Sequence, residues 1–438
     1  MNKILLSIFI LIFYSILIDA QIQTDTLSQE ATLQNCVDYA LAHQPSIKQS
    51  LLNEQIVNQE IKSKLADWFP QINFNFNVQH NYKLPTSVFQ GNQVHIGSVN
   101  TSNLQFSAVQ NIFNRDVLLA ATSAGDVREQ AAQSTASNKI NVIVDVSKYY
   151  YSVLLAQNQI DLINQDIARL EQGQKDAYDQ YKGGIVDKTD YMQATIALNN
   201  ARVELKQGLE QLKTSIAGLK EQMGYPPNGE LLLNYNMVKM EDEVSFDTTT
   251  QLTYQNRIEY KLLQTQRRLQ EANLHYYTWN FLPSLSAYGQ YNLNYQNDQL
   301  SQLYNQNYPN AYVGLQLSFP IFQGGKRIQE VDQAKLEVEQ IDYDQSALES
   351  SINTEYTRAL GSYKSNLNNY QVQRDNLKLA KDVYNIIELQ YKAGIKTYLD
   401  VITAESNLKT TQDNYLNALY QVLISKLDLQ KALGIVQY

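Results

Sequence analysis

Four histidines (43, 80, 95 and 275) and one cysteine, Cys36, are the side chains that could most readily ligate a metal or attack a substrate. The histidine separations fit no metal-ligand pattern, and His80 and His95 flank what reads as an outer loop. No Gly-rich phosphate loop and no Ser/His/Asp grouping accompanies them. Catalysis, a cofactor and a metal centre are therefore not expected. A single cysteine forbids an internal disulfide, and Cys36 lacks the apolar–small–Cys context of a lipid-attachment site. What does recur is a carboxylate. Asp190 closes "YKGGIVDKTD" and Asp400 closes "YKAGIKTYLD". An acid in the first turn of a helix is favoured by the helix dipole, and Thr397 to Asp400 fits a capping box.

The elements that carry these two acids are written twice. Tyr181/Tyr391, Lys182/Lys392, Gly184/Gly394, Ile185/Ile395, Asp190/Asp400, Ala194/Ala404 and Leu198/Leu408 are identical pairs at an offset of 210. Met223-Gly224 answers Leu433-Gly434. "WFPQINF" answers "FLPSLSAYGQY", and "LQFSAVQNIF" answers "LQLSFPIF". The implied organisation is a signal peptide at 1–20 and a first repeat at 21–225, with strands near 70–82 and 99–109 and a helical hairpin at 116–224. A linker or equatorial region at 226–249 leads to a second repeat at 250–438, with strands near 283–296 and 311–321 and a hairpin at 325–434. Gly184 and Gly394, between paired long helices, suit left-handed helix caps.

The long helices carry heptads. Val146, Val153, Ile160, Ile167 and Tyr181 recur in one frame, interrupted by Gln174, with Tyr149, Ala156, Ile163, Leu170 and Ala177 three residues later. The second copy has Tyr356, Tyr363, Tyr370, Leu377, Tyr384 and Tyr391, best read as inter-helix packing. The return helices run Leu198, Leu205, Leu212, Leu219 and Leu408, Tyr415, Val422, Leu429. Sustained heptads mean left-handed coiled coils. The first such helix, from about 116 to 182, would be roughly 100 Å long.

The strands are a different kind of sequence. Ile72, Phe74, Phe76 and Val78 alternate with Asn73, Asn75, Asn77 and Gln79; Leu104, Phe106 and Ala108 with Asn103, Gln105 and Ser107. Leu285, Ala287, Tyr291, Leu293 and Tyr295 oppose Ser284, Ser286, Gln290, Asn292 and Asn294. Val313, Leu315, Leu317 and Phe319 oppose Gly314, Gln316 and Ser318. Residues 71–82, 284–297 and 312–323 contain no Asp, Glu, Lys or Arg. A solvated sheet face normally carries charge, and sheet edges are guarded by it. A neutral polar face opposite a continuous apolar one suits a membrane barrel, with lipid outside and water inside. Tyr82, Tyr291, Tyr295 and Tyr312 are placed near strand ends, where interfacial aromatics belong.

Composition and the N-terminus agree. One Lys, an apolar run from Ile4 to Ile18 and Ala20 read as a secretory signal cleaved after Ala20. The net charge of −9, with no basic block, argues against nucleic acid. Four strands cannot close a barrel, and an open edge in lipid leaves backbone groups unpaired. Two chains would make eight strands around a plugged interior; three would make twelve around a channel.

The duplicated order, the two "YKxGIxxxxD" turns at 181–190 and 391–400, and the terminal "LQKALG" at 429–434 resemble the TolC-like outer-membrane efflux protein family. The resemblance covers nearly the whole mature chain. It implies a fold that is mainly α with transmembrane β, a duplicated helix–strand–strand–helix–helix unit. A trimeric twelve-stranded barrel would continue into a periplasmic α-helical coiled-coil barrel. It further implies a homotrimer in the outer membrane, coupled through a periplasmic adaptor to a proton-driven or ABC inner-membrane pump. Gly184, Ile185, Gly394 and Ile395 would meet the adaptor. Asp190, Tyr391, Lys396 and Asp400 would form the entrance gate, with Asp400 in an aspartate ring that favours cations. Two departures stand out: Thr403 where many members have a second Asp, with Glu405 displaced, and Lys396 in place of Arg, which loses the bidentate fork. Asn73, Asn75, Asn77, Gln290, Asn292 and Gln316 would line the lumen. Ile72, Phe74, Phe76, Leu315, Leu317 and Phe319 would face lipid. The expected function is a passive exit duct of a tripartite efflux system. The alternatives are the outlet of a type I protein secretion system, or a non-conducting periplasmic coiled-coil scaffold.

Overall fold

The computed structural model describes residues 31–89, 91–233 and 237–436; the expected signal peptide lies outside them. In chain order the main elements are α1 (Leu33–His43), α2 (Pro45–Ala66), β1 (Gln71–His80), β2 (Thr86–Phe89), β3 (Asn92–His95) and β4 (Asn100–Phe113). Next come α3 (Arg115–Lys182), α4 (Lys188–Met223), α5 (Met237–Asp242), α6 (Ile258–Thr278), β5 (Ser284–Asn297), β6 (Asn307–Ser318), α7 (Lys326–Lys392) and α8 (Tyr398–Leu433). Among the described residues, no helix is long and apolar enough to cross a membrane.

The helix ends are set by local chemistry. Thr32 and Asn35 close a capping box on α1, and Asn114 accepts from Asp116 N at 2.8 Å to start α3. At 68 residues, α3 is about 100 Å long. The ends of α4 and α8 are left-handed glycines that also touch backbone. A Cβ on Gly224 (φ +65°) would lie 2.9 Å from Gln44 Cα, and one on Gly434 (φ +71°) 2.9 Å from Asn256 C. Beside Gly434, the buried Arg257 guanidinium donates to Ala432 O at 2.9 Å, satisfying a last-turn carbonyl.

β1, β4, β5 and β6 form one antiparallel sheet in that order. The register sets Asn75, Gln105, Asn292 and Asn310 side by side on one face, and Phe74, Phe106, Tyr291 and Ala311 on the other. Both alternations therefore belong to a single sheet with one polar and one apolar face. Several boundaries differ from expectation. β4 runs on to Phe113, and β6 starts at Asn307 and stops at Ser318, so Phe319 lies just past the strand rather than in it. Tyr291 and Tyr312 sit mid-strand, not at the ends. Between β1 and β4 the chain makes an extra hairpin, β2–β3, where an outer loop was expected.

Coiled-coil burial follows the heptads. Val146, Val153, Ala177, Leu198, Leu219, Tyr363, Tyr370, Tyr384, Tyr391, Leu408, Tyr415, Val422 and Leu429 are buried. Ile167, Tyr181, Leu205, Leu212, Tyr356 and Leu377 are half-buried, and Tyr149 is 40% exposed; its ring lies against Gly218, where a Cβ would come within 2.6 Å. The linker is part of the core. Leu231, Leu233, Met240 and Val244 are buried with both hairpins' upper ends, and Ala31 N–H donates to Leu232 O at 2.7 Å. Three tyrosine hydroxyls from three long helices end on this segment: Tyr363 on Val244 O at 2.9 Å, Tyr151 on Glu243 and Tyr415 on Glu241. Burying such a ring contributes about 2–3 kcal/mol, provided the hydroxyl finds a partner. The linker supplies those partners.

Candidate channel wall and tunnel mouth

The wall is the four-stranded sheet. Its four strands contain no Asp, Glu, Lys or Arg. On the polar face the amides bond across strands: Asn103 Nδ2 to Asn294 Oδ1 at 2.6 Å, and Asn292 Nδ2 to Asn310 Oδ1 at 2.7 Å. Gln290 Nε2 donates to Asn292 Oδ1 at 2.8 Å, and Gln290 Oε1 accepts from the Tyr312 hydroxyl at 2.5 Å. Asn73, Asn75, Asn77, Gln290, Asn292 and Gln316 all fall on this face. Ile72, Phe74, Phe76, Leu315 and Leu317 fall on the opposite one, with the Phe74 and Phe106 rings tilted by 40° across strands at 4.9 Å. Ile72 is 75% exposed and Leu315 70%, so this face has no cover among the described residues. The polar face also holds three aromatics that pattern reading missed, Tyr288, Tyr308 and Tyr312. Gly314 makes room for the first, since a Cβ there would be 2.7 Å from the Tyr288 hydroxyl. The available signal was their even-numbered position among Gln290, Asn292 and Asn294.

The far end of the helices holds the two glycine turns. Gly184 has φ +70° and Gly394 φ +76°. In each turn the residue after the glycine closes a six-to-one bond: Ile185 N–H to Gln180 O and Ile395 N–H to Gln390 O, both at 2.9 Å. This motif throws Ile185 and Ile395 outward, 76% and 73% exposed.

Of the four expected gate residues, the structure joins two. Lys396 Nζ lies 3.5 Å from Asp400 Oδ1. Asp400 Oδ2 also receives Thr397 N–H at 3.0 Å and the Thr397 hydroxyl at 2.8 Å, so it closes the capping box at the head of α8. Those Thr397 bonds, with Lys396 adding to them, hold the carboxyl below the usual aspartate range. Tyr391 bonds elsewhere: its hydroxyl donates to Gln180 Oε1 at 3.0 Å, across to the first hairpin. Burial, then the charges of Asp190 and Asp176, push its hydroxyl pKa upward. Asp190 thus acts on Tyr391 through its field from the first turn of α4. Thr403 spends its hydroxyl on Leu399 O at 2.8 Å. Glu405 is turned inward between hairpins toward Arg169. Next to it, a cavity of about 300 Å³ is bordered by Arg169, Tyr384, Glu388, Tyr391 and Tyr398. Desolvation raises the Glu405 carboxyl and pushes Tyr384 up to about 12.

The family model described as outer membrane efflux protein matches residues 36–225 and again 250–435. The chain belongs to the outer membrane efflux protein family. It is 20% identical over 420 residues to outer membrane protein TolC of Vibrio cholerae, covering 93% of this chain and 92% of that one. It is 22% identical over 308 residues to the alkaline protease secretion protein AprF of Pseudomonas aeruginosa, covering 68% of this chain and 63% of that one. The crystal structure of CusC, described in terms of transmembrane channel formation, superposes with a TM-score of 0.76 at 18% identity. It covers 93% of this chain and 95% of that one. As a family member the chain is an outer-membrane efflux channel, a duct without an enzymatic reaction. Its sheet is transmembrane and its long helices form the periplasmic extension. Membership also removes the non-conducting scaffold from consideration.

Proposed function

We propose that three copies of this chain form one passive exit duct of a tripartite efflux system. The carrying observation is the sheet itself: one uncharged polar face, one uncovered apolar face, and two edges, β1 and β6, with no neighbouring strand among the described residues. Pairing β6 of one copy with β1 of the next satisfies both edges, and three copies give twelve strands. Asn73, Asn75, Asn77, Gln290, Asn292 and Gln316 then line water. Ile72, Phe74, Phe76, Leu315 and Leu317 face lipid, with Phe319 at the strand's exit. The helices support the same arrangement. Met192, Ile196 and Val203 on α4, and Val372, Leu379 and Ile386 on α7, are exposed apolar stripes at helical spacing. A stripe of each kind is what a head-to-tail ring would bury.

At the periplasmic end, Gly184, Ile185, Gly394 and Ile395 offer apolar tips to an adaptor protein, and Asp190, Tyr391, Lys396 and Asp400 frame the mouth. The duct holds no energy source, so an inner-membrane pump drives transport. Likeness to AprF favours, as a second reading, an outlet for secreted polypeptide driven by an ABC pump. The purified protein in detergent is expected to have three times the chain mass and to conduct ions in planar bilayers. A monomer that inserts without conductance would sink the proposal. Crosslinking in cells then distinguishes the pumps by which inner-membrane protein is recovered.

A further inference from the structure

α8 runs antiparallel to α3, and charged rungs mark where the two lie side by side. Arg169 Nε on α3 faces Glu405 Oε1 on α8 at 3.6 Å, and nearer the membrane Lys148 Nζ meets Asp428 Oδ1 at 2.7 Å. Buried Asp166, one turn along α3, accepts from the Arg169 guanidinium. Tyr384 of α7 turns its ring to the guanidinium, 5.7 Å from the centroid. Glu388 of α7 and Lys409 of α8 are the other charges that bear on Glu405. Arg169 Nε and Glu405 Oε1 are buried and make no hydrogen bond beyond facing each other.

Two charges whose facing atoms are buried, on side chains 26% and 13% exposed, are a poor way merely to join helices. An apolar pair of the same volume packs as well and desolvates nothing. What the charged pair adds is position. The apolar heptads of the two helices meet in one buried cluster, with Val146 and Val153 on α3 and Tyr415, Val422 and Leu429 on α8. Such a seam packs nearly as well after one helix slides by a heptad, about 10 Å. Sliding α8 by seven residues in either direction brings Glu405 opposite Leu162 or Asp176. One is apolar and the other acidic, so either slip strands a buried carboxylate without its cation.

We propose that the Arg169–Glu405 pair is a register pin. It sets the axial height of α8 against α3, and so the height at which the Asp400 turn stands at the mouth. Both are positioning residues and neither touches the transported solute. The consequence for the mouth rests on the duct reading; the register does not.

The test uses the full-length protein with Lys148→Cys and Asp428→Cys, treated with a thiol linker shorter than one heptad's rise. Native Cys36 is buried and stays out of reach. The parent pair is expected to cross-link within the chain almost completely. Adding Arg169→Leu with Glu405→Leu should abolish most of that cross-link while thermal melting stays cooperative. The swap Arg169→Glu with Glu405→Arg should keep it. Full cross-linking in the Leu pair overturns the proposal, and so does loss of the cross-link in the swap. Should the Leu pair fail to fold, Glu405→Gln alone, the same size without charge, is expected to lose part of the cross-link; an undiminished yield there is equally fatal. Bilayer conductance is read on the same samples. A slipped register with unchanged conductance would count against the mouth assignment and leave the pin standing.

Discussion

The Tyr391 hydroxyl donates to Gln180 Oε1 at 3.0 Å, tying the lower end of α7 to the lower end of α3. It is a cross-hairpin bond just above the two glycine turns, at the end proposed as the duct's mouth. Removing one such bond changes stability by about 1 kcal/mol, roughly a fivefold shift in a two-state equilibrium per chain. Tyr391→Phe, and separately Gln180→Ala, should raise the resting conductance of the reconstituted channel. Equal closed-state conductance in both variants would remove this bond from the gate.

A single substitution separates the capping by Asp400 from the charge it is proposed to place at the mouth. Asp400→Asn keeps an acceptor oxygen for Thr397 N–H but removes the charge. Single-channel reversal potentials should show weaker cation preference, with the protein still folded. Thr397→Ala should instead cost about 1 kcal/mol of α8 capping and leave the charge in place. The pH sign follows from the depressed carboxyl. Its folded pKa lies below the unfolded one, so its stabilising effect is present above the unfolded pKa and fades as pH falls through the folded value. Cation preference should therefore persist to pH values below the ordinary aspartate range.

Glu405 has the opposite sign. Desolvation raises its folded pKa above the unfolded one, so the folded state holds the extra proton. Its contribution to stability is lost as pH rises from the ordinary carboxylate range through the folded value. Glu405→Gln should flatten that part of the stability-against-pH curve, measured by denaturant unfolding in detergent. An unchanged slope would mean that Glu405 titrates normally.

The two sheet faces should answer differently to charge. Phe74→Arg or Leu315→Arg on the apolar face should cost about 2–4 kcal/mol near mid-bilayer and reduce the membrane-inserted fraction. Asn75→Asp on the polar face should insert normally and alter only conductance or ion preference. Comparing detergent-extracted yields tests this, and equal losses on both faces would overturn the inside–outside assignment.

Two glycines should respond in opposite directions. Gly434→Ala forces a side chain into a left-handed conformation 2.9 Å from Asn256 backbone, so the melting temperature should fall. Gly361 lies inside α7 with open space where its Cβ would be. Gly361→Ala should stabilise by about 0.5–1 kcal/mol and raise the melting temperature slightly.

The local periods were legible in the residues themselves. Alternation around Asn73–Asn77 makes a strand, and the sevenfold spacing of Leu198 to Leu219 makes a coiled coil. Gly184 and Gly394 end helices, and Thr397 with Asp400 starts one. Each depends on neighbours a few residues away, and the doubling of the chain shows that the same solution is used twice. Long-range partners were decided only by the tertiary structure. β4 pairs with β5 across nearly two hundred residues, and the 226–249 linker is drawn into the core because three buried tyrosine hydroxyls need acceptors. Tyr391 finds Gln180, Tyr312 faces the amide ladder, and Glu405 turns inward to Arg169. A heptad or an alternation says which face of an element is buried, but it reads the same after a shift of one repeat. Which side chain then stands opposite which is settled where polar and charged groups, each costly to leave unpaired, find their partners in three dimensions.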